Sequence, residues 1–174
     1  MFQKITEKTF ERIFPILDEA FPSTELRTME AQKALLEEPD YTLYGVPDAE
    51  GDFRAVFGTW EIEDFLFIEH FAVGRQYRNG GFGGRLLEEL AEEKGKPLVL
   101  EVEVPEDDLT KRRVGFYERH GLVLNDYPYE QPPLREENDW MPLKLMTSRG
   151  SIDEETFRRY KRNIYDIVYK YRED

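Results

Sequence analysis

The segment Arg78-Asn79-Gly80-Gly81-Phe82-Gly83-Gly84-Arg85 sets the strongest limit on what this chain can fold into. It joins a hydrophobic run, Phe65 to Val73, to a helix-like run, Leu86 to Lys94. Four glycines between a strand and a helix predict a bare-backbone turn whose N–H groups can point at an anion. The positive end of the helix dipole adds to that attraction. A Walker A loop is excluded, because no Lys-Ser or Lys-Thr follows the glycines. A dinucleotide fingerprint begun at Gly81 fits at Gly83 but meets Leu86 where its third glycine belongs. A phosphate loop of another kind and a flexible turn that binds nothing both remain open.

The rest of the chain reads as a mixed α/β sheet in one domain, in the order β-α-α-β-β-β-α-β-α-β-β-α. Phe2 to Ile5 forms a short strand. Phe10, Ile13, Phe14, Leu17 and Phe21 recur at helical spacing, with Pro15 kinking that helix or delaying its start. Pro22-Ser23-Thr24 caps a second helix. Strands are expected over Tyr41–Val46, Phe53–Trp60, Asp64–Val73 and Leu98–Val104, and a helix over Thr110–His120 with Gly121 as its left-handed cap. Leu122–Leu124 and Trp140–Met146 are the last strands, separated by a stiff loop around Tyr127-Pro128-Tyr129 and Pro132-Pro133. Ser148-Arg149-Gly150 marks a boundary between a main body, 1–147, and an amphipathic helix, 148–174. Ser151 to Glu154 is a capping box for that helix, which docks on its own domain or on a second subunit.

The net charge of −13 argues against nucleic acid and anionic membranes as partners. The chain has no cysteine and two histidines, His70 and His120, so thiolate catalysis and a Cys/His metal centre are excluded and no metal is expected. No apolar run reaches the roughly 18 residues of a membrane span, and no signal segment opens the chain, so a cytoplasmic location is expected.

Arg-x-x-Gly-x-Gly at Arg78, Gly81 and Gly83 resembles the acyl-CoA pyrophosphate loop of the GCN5-related N-acetyltransferases (GNAT). Three further features carry the resemblance: Phe71-Ala72-Val73 before the loop, Leu86-Leu87 after it, and Phe116-Tyr117-Glu118-Arg119-His120-Gly121-Leu122 about 30 residues on. It covers roughly residues 1–147. It implies the GNAT fold with a splayed central sheet and acetyl-CoA as co-substrate. It also implies direct transfer of an acetyl group to a primary amine, either a small molecule or a peptide N-terminus. The amides of Asn79, Gly80, Gly81, Phe82, Gly83 and Gly84 would surround the diphosphate, with Arg78 and Arg85 adding charge. The pantetheine arm would run beside Phe71, Ala72 and Val73. Two positions depart from the family pattern: Thr110 stands where an Asn is common, and Arg113 where a small residue is common. Arg113 either reaches a phosphate or is solvated.

Tyr117 is the expected acid for the leaving thiolate, by the same resemblance. Glu69 is the first candidate base, because period-two alternation groups Phe67, Glu69, Phe71 and Val73 on one face and sends His70 to the other. Glu101 and Glu103 follow on the neighbouring strand. Glu25 and Glu61 complete an acidic set suited to a cationic acceptor. Tyr127, Tyr129 and Trp140 form an aromatic wall or plain core. A silent acyl-CoA sensor and an acidic interaction module are the alternative readings, and a homodimer is possible.

Overall fold

The computed structural model describes residues 1–173. Seven strands form one sheet in the order β1-β2-β3-β4-β5-β7-β6. They are β1 (Gln3–Lys4), β2 (Tyr41–Pro47), β3 (Phe53–Ile62), β4 (Phe65–Val73), β5 (Leu98–Glu103), β6 (Leu122–Gln131) and β7 (Met141–Ser148). The helices are α1 (Glu7–Ala20), α2 (Met29–Ala34), α3 (Phe82–Lys94), α4 (Asp108–Arg119) and α5 (Glu154–Ile167). This is the element order read from the sequence. All neighbours pair antiparallel except β4 and β5, which are joined through α3 and run parallel.

The sheet separates two cores. Phe10, Ile13 and Leu17 of α1 pack on one face with Phe157, Tyr160 and Ile164 of α5, over Trp60, Phe65 and Phe67. Leu86, Leu87 and Leu90 of α3 and Val114 of α4 pack on the other, over Phe57, Leu66, Ile68 and Leu100. Each fully buried aliphatic or aromatic side chain contributes roughly 1.5–3 kcal/mol of hydrophobic stabilisation. The C-terminal helix is therefore part of the main core, and Phe65 lies 4.2 Å from Tyr160, centroid to centroid. Helix α1 starts at Glu7 and continues past Pro15 to Ala20. Pro15 and Glu11, four residues back, are both on the exposed side, so the carbonyl that loses its amide partner faces water.

Several local expectations need correction. Thr28, not the 22–24 segment, caps α2, accepting from the Ala31 amide at 3.2 Å. Asp153 rather than Ser151 caps α5, accepting from the Thr156 amide at 2.8 Å. Helix α3 starts at Phe82, so Gly83 and Gly84 belong to its first turn and not to the loop. The segment around Pro128 is strand, not loop. It lies in edge strand β6 at an irregularity where Asn125 pairs with Leu145 and Tyr129 with Leu143. Proline is tolerated at such a site because no ladder amide is required of it.

Candidate active site

The parallel pairing of β4 and β5 is short. Leu66, Phe67 and Ile68 face Leu98, Val99 and Leu100, and beyond them no pairs form. The C-terminal halves, Glu69–Val73 and Glu101–Glu103, separate into a wedge. The α3 N-terminus lies at one side of it. The amides of Phe82, Gly83 and Gly84 open the helix and have no carbonyl four residues back to bond; the Arg85 amide, bonded to the Gly81 carbonyl at 3.2 Å, is the first that does. Asn79 (φ 69°) and Gly81 (φ 74°) are left-handed and turn the backbone into this cap. Gly83 and Gly84 serve close approach instead. A Cβ on Gly83 would sit 3.3 Å from Val73 Cγ2 and 3.5 Å from Phe71, and a Cβ on Gly84 would run into the His120 imidazole. Arg78 donates to the Val73 carbonyl at 2.8 Å and Arg85 to the Gly80 carbonyl at 3.2 Å, so both arginines also brace the loop. This arrangement of free helix-end amides, a left-handed turn and two flanking cations fits a diphosphate.

A β-bulge decides what faces the wedge. Gly58 of β3 opposes His70 and Thr59 opposes Ile68, which leaves Glu69 as the extra residue. Phe67 and Glu69 share the α1/α5 face, but Phe71 and Val73 are on the α3 face, where Phe71 stacks on Phe57 at 4.2 Å. The single-face alternation expected for Phe67, Glu69, Phe71 and Val73 is thus broken. His70 joins Glu69 on the α1/α5 face instead of pointing away. Both line a cavity of about 60 Å³ with Phe21, Glu25, Glu101, Gln131 and Leu143.

The carboxylates around this cavity differ sharply. Glu69 is held by Arg27 at 2.7 Å and by the Trp60 indole N–H at 2.9 Å. Burial pushes its carboxyl up, but Arg27 and these bonds pull it below the ordinary range. It is therefore already ionised and is a weak proton acceptor. Glu101 accepts from the Tyr129 hydroxyl at 2.6 Å and the Tyr169 hydroxyl at 2.5 Å. Burial raises its pKa to about 7, against the lowering effect of those two bonds. Glu25 also rises to about 7, through burial and then through repulsion from Glu103. Glu103 itself is paired with Arg113 at 2.9 Å. His70 Nε2 is 2.7 Å from the Glu25 carbonyl, and burial pushes its pKa down, so the neutral ring with Nε2–H donating is the favoured form.

On α4, the Tyr117 phenol is raised to about 12 by burial, with Arg113 opposing. It stays protonated across the physiological range. The Thr110 hydroxyl closes the capping box of α4, bonding Asp107 at 2.9 Å and accepting from the Glu106 and Asp107 amides. That use explains its burial without a ligand. Of the expected aromatic wall, only Tyr129 reaches a cavity carboxylate. Tyr127 stacks on Phe157 at 4.7 Å and donates to the Ile152 carbonyl, and Trp140 packs on Tyr165 and Tyr171. Glu61 pairs with Lys96 at 3.9 Å at the far end of β3. Tyr169 was not anticipated as a site residue, whereas Arg27 ends the 21–27 segment that the family resemblance assigns to the acceptor pocket. Nothing near Tyr169 in the sequence marks it, since it acts through a partner 68 residues away.

Comparison with known proteins bears on the same regions. The family model described as "Acetyltransferase (GNAT) domain" matches residues 46–122, from β2 through the Gly loop to the start of β6. A solved structure named "Putative acetyltransferase from GNAT family", from Bacteroides thetaiotaomicron, is 33% identical. It superposes with a TM-score of 0.90 over 99% of both chains. "Putative acetyltransferase YjbC" from Bacillus subtilis (strain 168) is 29% identical over 162 residues, 91% of this chain and 81% of that protein. A variant of spermidine N-acetyltransferase SpeG from Vibrio cholerae shares the fold at 12% identity, with a TM-score of 0.64 over 85% of this chain and 94% of its own. With an end-to-end relative above the level at which families diverge in fold, and with the splayed sheet and helix-end cradle in position, this chain belongs to the GNAT family and is an N-acetyltransferase.

Proposed function

We propose that the protein transfers an acetyl group to the unhindered end of a primary amine, with Glu101 as the base and Tyr117 as the acid. The observation that carries this reading is the wedge between β4 and β5, with an anion cradle at one side and the carboxylate-lined cavity at the other. The family uses acetyl-CoA, whose thioester supplies the activated acetyl group when bound. The amides of Asn79 to Gly84 would hold its diphosphate. The separated edge of β4 at Phe71, Ala72 and Val73 leaves backbone groups for its pantetheine arm.

The residues of the chain then divide the work. The ammonium end of the acceptor enters among Glu25, Glu69 and Glu101. The cavity is small, about 60 Å³, and suits a slim aminomethyl terminus better than a bulky one. Each Glu101 oxygen accepts one phenol and keeps a second lone pair, so it can still take a proton from the ammonium. A group titrating near 7 is matched to that task, whereas Glu69 is not. Tyr117 carries its proton at the phenol oxygen and can give it to a departing thiolate, whose conjugate acid titrates near 8.5. The SpeG relative is named for a polyamine substrate, and a linear polyamine has an end of the kind described here.

The test combines binding and turnover. Calorimetry with acetyl-CoA should give saturable one-site binding. A thiol-release assay should show turnover with linear primary amines, and little with amines branched next to nitrogen. Binding without release across linear amines, polyamines and peptides with free N-termini would overturn the reading.

A further inference from the structure

Tyr169 lies beyond the end of α5, outside the segment matched by the family model. Its hydroxyl nevertheless reaches Glu101 Oε1 at 2.5 Å, across 68 residues of sequence. The chain is built to bring it there. Lys170 adopts a left-handed conformation (φ 55°), which L side chains disfavour. Beyond the helix the chain turns back at that residue, with the Tyr171 amide bonded to the Tyr165 carbonyl at 2.9 Å. The flanking residues tie the turn to the acceptor side of the wedge. The Val168 carbonyl accepts from Arg27 at 3.4 Å, and Lys170 sits over the Trp60 ring and 3.4 Å from Glu38. Trp60 and Arg27 are the two partners of Glu69. The C-terminal turn thus touches both halves of the carboxylate set.

We propose that Tyr169 is a positioning residue: the C-terminal turn delivers a phenol that fixes the orientation and the proton affinity of Glu101. Tyr129 on β6 supplies the matching bond to Oε2 at 2.6 Å, so the carboxylate is held from two elements. The other ionisable groups that act on Glu101 are Glu69 on β4 and Glu25 before α2, both of which oppose its ionisation. Arg27 bonds the Glu69 carboxylate, and His70 bonds the main-chain carbonyl of Glu25. Both tyrosines donate to the ionised form, so removing either hydroxyl favours the protonated carboxyl. The catalytic consequence rests on Glu101 serving as the base.

The test reads Glu101 directly, without turnover. Glutamate side chains labelled with ¹³C at the carboxyl are titrated by NMR, and the Glu101 signal is identified by its loss in Glu101→Gln. Tyr169→Phe keeps the ring and removes the hydroxyl. It should move the Glu101 titration upward by about one pH unit, the size expected for loss of one charge-assisted bond. Tyr129→Phe should act in the same direction. An unmoved Glu101 titration in Tyr169→Phe overturns the proposal. The acidic limb of kcat/KM is measured in parallel, and an upward move matching the NMR shift supports the proposal together with its catalytic consequence. If the NMR titration moves and the limb does not, the coupling of Tyr169 to Glu101 stands and the assignment of Glu101 as base falls.

Discussion

Arg27 Nη1 and Glu69 Oε2 meet at 2.7 Å with both side chains almost wholly out of water, 10% and 3% exposed. The Trp60 indole closes the other carboxylate oxygen. Such a pair is costly to form, and removing one member is costlier still, because the other is left buried and charged. Arg27→Met should therefore destabilise the fold by about 3–5 kcal/mol. At the 2–4 °C per kcal/mol expected for a chain of this size, the midpoint of thermal unfolding falls by roughly 10 °C. Replacing both residues by apolar ones of similar volume should recover most of that loss. The folded-state carboxyl is depressed, so its contribution is full above the ordinary carboxyl value of 4.5 and is lost as pH falls through the lower folded value. An unchanged midpoint in Arg27→Met would mean that the pair does not persist in solution.

Tyr117→Phe separates chemistry from binding. The ring packs beside Phe116, 5.1 Å away centroid to centroid, and what acts on its hydroxyl is burial and the Arg113 charge. Loss of a positioned general acid typically costs 10²- to 10⁴-fold, so kcat should fall by at least about 100-fold. The dissociation constant for acetyl-CoA should change by less than about threefold, since no diphosphate contact is touched. Parallel losses in kcat and in affinity would assign the phenol to binding.

Gly84→Ala should be harmful for a steric reason and not a conformational one. Gly84 has ordinary helical backbone, but an added Cβ would run into the His120 imidazole. Forcing a methyl group into a filled contact costs about 1–3 kcal/mol. His120 also pairs with Glu88 at 3.0 Å, so the ring is not free to swing aside. The double variant Gly84→Ala with His120→Ala should recover stability relative to Gly84→Ala alone. Additive losses in denaturant melts would exclude the contact as the cause.

How much of this was legible in the sequence depended on range. The Gly loop could be read because glycine identity reports a local backbone demand, as at Gly81, or a local approach, as at Gly84. Even so, the loop read from sequence was four residues too long, since residues 82–85 already belong to α3 and Gly83 and Gly84 carry glycine's steric virtue inside a helix. The bulge at Glu69 could not be read. Phe-Ile-Glu-His alternates as well with an extra residue as without one, and only the opposing pairs of Gly58 and Thr59 reveal it. That slip changed the face assigned to His70 and, with it, the composition of the cavity. Glu69 ranked first as base on spacing alone. Its partner Arg27 lies 42 residues away in a loop, where no periodicity connects the two, and the pair is what makes it a weak acceptor. Glu101 and Glu103 were correctly grouped on one strand, because β5 has no bulge within its pairing with β7.

The raised carboxyls make the ligand-free protein sensitive to pH in a direction opposite to that of Glu69. Glu25 and Glu101 both rise from the ordinary carboxyl value of 4.5 to about 7 in the folded state. A carboxyl whose folded value is raised stabilises fully below its unfolded value and loses that contribution as pH climbs through the folded one. Between pH 5 and pH 8 the unfolding midpoint should therefore drop by several degrees. The net charge of −13 adds self-repulsion over the same range, so the slope alone does not identify the groups. Glu101→Gln supplies the control, because a neutral amide of the same shape can still bond both tyrosines and has no proton to lose. It should flatten the fall measurably while leaving the acid side intact. A saturating linear amine should do the same in the wild-type protein, by pairing a cation with the carboxylates as they ionise and by favouring the folded state through binding. A fall of equal steepness in Glu101→Gln would place the burden on Glu25 or on the surface, and the view of Glu101 as a carboxyl poised near neutrality would fail.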